Sequence, residues 1–153
     1  MNKKTPYHYR DWYRTIIESP DKIFEALEWF RDRQSEAREL ILPVEGNLVE
    51  LNTYHAGYLA IYTTYFKQLV HIADYFEHKL KRINGLIIKE WRNNPQTVVA
   101  PSATEMKFIV EDDERYSDMK VTLGEIQVVR DEMDAIVAGF ETRSYQIKNN
   151  HRS

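Results

Sequence analysis

Cysteine is absent from this chain of 153 residues, which removes disulfide frameworks, thiol nucleophiles, zinc ribbons and iron–sulfur ligation, and with them any need for an oxidising compartment. Glycine is scarce. The five, at positions 46, 57, 85, 124 and 139, give neither a phosphate-cradling loop nor a GxGxxG turn, and no HExxH motif occurs, so nucleotide hydrolysis is not expected. None of the six serines sits in a recognisable nucleophile turn, and the sequence offers no catalytic residue and no cofactor motif. A non-enzymatic protein is the expectation. No run of eighteen apolar residues is present, and Met1-Asn2-Lys3-Lys4 leads into polar and aromatic residues instead of an apolar signal core. The reading is therefore a cytoplasmic chain that neither spans a membrane nor is secreted.

What is present is the composition of one folded domain: 42% apolar, 12% aromatic and 29% charged residues, with a mean hydropathy of −0.60. The net charge of −3 conceals a segregation. Residues 1–17 carry +3, 18–50 carry −5, 51–101 carry +3, 102–134 carry −6 and 135–153 carry +2. Such blocks let a nearly neutral chain present a basic face to one partner and an acidic face to another, although solvated helices also show patches of this size.

Apolar spacing predicts an all-α fold, with no alternating strand pattern and no internal repeat. Thr5-Pro6 opens a first helix through Tyr9, Trp12, Tyr13 and Ile16, and Ser19-Pro20-Asp21 opens a second that runs to about Leu42. Pro43, Gly46, Asn47 and Asn52 mark a turn region. The strongest pattern follows. Leu59, Tyr62, Phe66, Leu69, Ala73, Phe76, Leu80, Ile83 and Ile87 form an unbroken heptad series, widened by Tyr65, Val70, Ile72 and Leu86 to the breadth of a helix in a bundle. This long helix is expected over 53–93, ended by Asn93-Asn94-Pro95, with 96–101 as a linker. Ser102-Ala103-Thr104-Glu105 fits a capping box for a last helix over 102–150, whose apolar phase slips between 111 and 118. The organisation expected is one helical domain in which residues 1–50 form an N-terminal extension.

Forty residues of helix reach roughly 60 Å at 1.5 Å per residue, whereas a compact domain of this length has a radius of gyration of about 15 Å. A long hairpin or coiled-coil-like bundle is implied, with surplus apolar stripe buried against other copies, so a homo-oligomer is expected. Met119, Ile126, Met133, Ile136, Phe140 and Ile147 are its expected packing residues. On the polar side of the 53–93 helix stand Lys67, His71, His78, Lys81, Arg82, Lys89 and Arg92, with Asp74 the sole acid among them, Tyr75 within the stripe and Trp91 beside it. A cation stripe on a rigid helix suits a phosphate backbone, with aromatic rings available to stack bases; a merely solvated face is the alternative. His71, Asp74, Glu77 and His78 have the spacing of half a di-metal bundle site, but no second half follows and no metal is expected.

The last helix resembles that of the UvsY recombination mediator family of T-even-type bacteriophages. Glu105-Met106-Lys107, Asp113, Leu123, Arg143 and Ile147-Lys148 match without a gap over about 44 positions. The middle helix is similar in its Tyr54-x-Ala56 opening, in Tyr62 or a neighbour, and in a basic cluster before a loop. The family's Lys-x-Arg motif has two counterparts here, Lys81-Arg82 and the segment from Lys89 to Arg92. The family's glycine-rich loop is replaced by Asn94-Pro95-Gln96-Thr97-Val98-Val99, and residues 1–50 have no counterpart, so the likeness covers the C-terminal two thirds. The resemblance implies a ring-forming protein, acting in the host cytoplasm, that binds single-stranded DNA and loads a RecA-like recombinase in place of single-strand-binding protein. On that reading Lys67, Lys81, Arg82, Lys89 and Arg92 contact DNA. Arg143 and Lys148 match the family but also suit a helix C-terminus on electrostatic grounds alone. The alternative is a structural adaptor built of oligomerising helices, without DNA binding.

Overall fold

The computed structural model describes the backbone of residues 10–41, 48–96 and 99–152, and the side chains of 10–40, 56–96 and 99–149. Among them all regular structure is helical: α1 (Trp12–Glu18), a 3-10 turn (Pro20–Lys22), α2 (Ile23–Ile41), α3 (Leu48–Arg92), α4 (Ala103–Asp112) and α5 (Glu114–Arg152). The expected start at Thr5-Pro6 lies outside the described residues. Within them, Asp11 caps α1 by accepting from the Arg14 N–H. Ser19 leaves the helical region, and Pro20 opens the short turn that leads into α2.

α3 starts at Leu48, earlier than expected, so Asn52 is helical and not part of a turn. A single Asn costs a helix well under about 1 kcal/mol, which a long helix readily carries. The α3 terminus is closed by an Asn94 side chain that accepts from the Gln96 N–H. Ser102 caps α4 by accepting from the Glu105 N–H at 3.2 Å, as the capping-box pattern predicts. The phase slip between 111 and 118 is resolved to one residue. Asp113 is extended, at φ −71° and ψ 127°, and its carboxylate accepts from the Arg115 N–H to begin α5.

The chain forms two units, one of residues 1–72 with 128–153, the other of residues 73–127. In the first, α2 runs antiparallel to α3, with Phe30 near Tyr65 and the Tyr62 hydroxyl donating to the Arg33 carbonyl. It runs parallel to α5, where Gln34 Nε2 donates to the Val129 carbonyl at 2.8 Å and Arg38 pairs with Glu132. An aromatic seam crosses this core: Trp12 against Trp29, Trp29 edge-on to Phe30 and Tyr65, Tyr65 edge-on to Tyr62, and Tyr62 stacked on Phe140 at 5.2 Å. Burial, reinforced by the Glu36 charge, holds the Tyr62 phenol strongly above its ordinary value. Among the described residues Gln34 is the one buried polar side chain, 1% exposed, and its Oε1 finds no hydrogen-bond partner among them.

Two expectations change here. Residues 12–40 are not an extension, because Trp12, Ile16, Ile23, Leu27 and Phe30 are among the most deeply buried side chains. The stripe expected to pack copies together is consumed inside the single chain: Ile126, Met133, Ile136, Phe140 and Ile147 are buried, and Met119 is half-buried. In the first unit the covering layer is supplied by α2 and α3. In the second unit, Ala73, Phe76 and Ile87 of α3, Val110 of α4, and Leu123 and Ile126 of α5 are buried.

Truncating the centre of the seam tests this packing. Phe30→Ala, at 0% exposure, is expected to cost about 3–5 kcal/mol in urea unfolding. Phe24→Ala, on the same helix but 56% exposed, should change stability by no more than about 0.5 kcal/mol. Equal effects would contradict the assignment of the α2 faces.

Candidate nucleic-acid interface

Of the cations expected to contact DNA, four lie in the second unit, on the last three turns of α3. Lys81, Arg82, Lys89 and Arg92 are all exposed. At 100° per residue they fall within about 100° of arc, opposite Phe76 and Ile87, which face the core. Gly85 lies in the middle of that arc, and a Cβ built there would meet nothing within 4 Å. The face is therefore open along its centre. Lys67 is exposed in the first unit.

None of these five cations makes an ion pair with a described residue. From His78 to Arg92 the only acid is Glu90, and its carboxylate is taken by Arg115, whose two Nη groups donate to it at 3.0 and 2.7 Å. Arg115 also reaches Asp113 at 3.0 and 3.1 Å. Its hydrogen bonds hold both carboxyls below the usual carboxylate range, and the two carboxylates raise the guanidinium in turn. Sequence alone gives Arg115 no role, because it sits inside an acidic run. The signal was its isolation: one cation between Glu111-Asp112-Asp113-Glu114 and Asp118.

The aromatic part of the expected face is less available. Tyr75 is half-buried, edge-on to Phe76 and 5.1 Å from the Lys79 ammonium. Trp91 is exposed beside the face. His71 lies against Tyr13 at 5.6 Å. His71, Asp74, Glu77 and His78 do not gather into a ligand set, and no group of three or more His, Asp or Glu among the described residues could hold a metal ion. Arg143 is half-buried and donates to Gln146, while Lys148 is exposed. No described helix is long and apolar enough to cross a membrane.

Next to the four cations a cleft of about 610 Å³ opens between the end of α3, residues 100–103, α4 and the first turn of α5. Arg92 belongs to both the face and the cleft. Together these features define a protein whose described regular structure is all helical, with a cation face that makes no ion pair to a described residue beside an open cleft. Comparison with protein-family models, with curated proteins and with solved structures finds no match to this chain.

The Arg115 clamp predicts a pH dependence. A carboxyl whose folded-state value is depressed stabilises the fold above its unfolded value and loses that contribution as pH falls through the folded value. The stability gap between the wild type and Arg115→Met should therefore stay constant from neutral pH down to the ordinary carboxylate range and close below it. Thermal unfolding across that range reads it; a gap that opens only under acid would contradict the assignment.

Proposed function

We propose that this chain is a non-enzymatic recombination mediator that binds single-stranded DNA along the exposed face of α3 and helps a RecA-like recombinase replace single-strand-binding protein. The observation that carries the reading is the set of four exposed cations on one face, Lys81, Arg82, Lys89 and Arg92, none of them ion-paired with a described residue. Phosphates recruit such a face because each contact releases condensed counterions, a gain that does not depend on sequence. The resemblance of the last helix to the UvsY family supplies the recombination context, and both counterparts of its Lys-x-Arg motif fall on this face.

Self-assembly into a ring, part of the same resemblance, would multiply the cations presented to one strand. It has to use side chains other than Met133 and Phe140, which are both 0% exposed in the single chain. The same burial removes the stripe on which the structural-adaptor reading rested, although exposed apolar side chains such as Phe108 and Val121 remain.

Fluorescence anisotropy of a labelled oligonucleotide tests the proposal. The binding constant for the single strand should fall with salt at a slope of about −0.7 per phosphate neutralised, about −3 for four contacts. Changing Lys81, Arg82, Lys89 and Arg92 together to Ala should weaken binding at low salt at least about tenfold and flatten that slope. No binding at low salt, or the same binding by the quadruple variant, overturns the reading and leaves the adaptor.

A further inference from the structure

A row of lysines and arginines recognises phosphates, and phosphates are common to single strands and duplexes, so the α3 face alone does not choose between them. The cleft beside it has the chemistry to choose. Its floor is apolar, made by Val110, which is buried, and by the half-buried Ile88 and Met106. The half-buried ring of Tyr116 lines one side. Two cations, Arg92 and Lys107, stand against one acid, Glu111, so the lining favours an anion. Asn84 adds a carboxamide, donor and acceptor at once, which has no hydrogen-bond partner within the described structure.

This mixture fits neither a free inorganic anion, which gains nothing from the floor, nor an apolar chain, which gains nothing from the cations. It fits a nucleotide, flat and apolar across the base faces, hydrogen-bonding at the base edge and anionic at the phosphate. We propose that the cleft is a base-holding subsite: one unpaired base of a single strand lies over Ile88, Met106 and Val110 beside Tyr116, its edge toward Asn84, while its phosphate lies on Arg92. The inference rests on the DNA-binding reading above and deepens it. A base paired within a duplex stays in its stack and cannot enter, so the subsite gives the face its preference for single strands. Because Arg92 is shared, entry of a base fixes the strand on the cation face at one point.

The test compares a short oligodeoxythymidine with an abasic strand of the same length, which keeps every phosphate and lacks every base. Wild-type protein should bind the base-bearing strand about tenfold more tightly, the scale of one stacked base. Ala103→Trp, at an exposed position on the cleft wall, puts an indole into the space; it should abolish that preference while leaving binding of the abasic strand unchanged. Circular dichroism checks that the variant remains folded, and the wild-type comparison stands without it. Equal affinity of the wild type for the two strands overturns the subsite and leaves the cation face intact. Persistence of the preference in folded Ala103→Trp also overturns it. Failure of the wild type to bind either strand overturns the subsite and the DNA-binding reading together.

Discussion

A helix of forty-five residues with one apolar side has to cover that side along its whole length while leaving the other to water, and α3 is such a helix. Its buried series is Tyr62, Tyr65, Leu69 and Ile72 in the first unit and Ala73, Phe76 and Ile87 in the second. In the first unit α1, α2 and α5 supply the cover, through the Trp12, Trp29 and Phe140 rings gathered around Tyr65 and Tyr62. In the second unit the cover comes from α4 and the start of α5. The cation face is the complement of this burial: the residues that cannot be inside are collected along one line.

Collecting cations is not sufficient to leave them free, since a chain with 24 acidic side chains offers many internal partners. The corner between α4 and α5 settles the matter locally. Asp113 ends one helix and caps the next, which points Arg115 at Glu90 and satisfies the single acid of the last α3 turns. Exposed ion pairs of this kind add little to stability. Their consequence is in the field they leave behind, because Lys89 and Arg92 on the neighbouring positions make no ion pair with a described residue.

Much of this was legible in the sequence. The wide heptad series, the Ser102 cap, the break within 111–118 and the cation side of α3 all follow from spacing and local chemistry, and each lies within a single segment. What was not legible depends on which segment meets which. The stripe Met133, Ile136 and Phe140 is equally apolar whether a second copy or α2 covers it, and spacing cannot distinguish the two. The clue was that α2 carries its own stripe, Ile23, Leu27, Phe30 and Ala37, which needs a partner of its own. Gln34 lies within that stripe and reads as a defect, until its hydrogen bond to the Val129 carbonyl gives it a reason. The cleft was invisible for the same cause, being assembled from three helices and a connecting segment.

On the proposed reading, function is a property of the α3 cation face and its neighbouring cleft. Lysine-reactivity footprinting read by mass spectrometry, with and without a saturating single-stranded oligonucleotide, tests that claim most directly. Lys81 and Lys89 should lose reactivity on binding, while Lys22 and Lys148, also exposed, keep theirs. Protection of Lys22 or Lys148 with Lys81 and Lys89 left reactive would place the interface elsewhere and contradict the account.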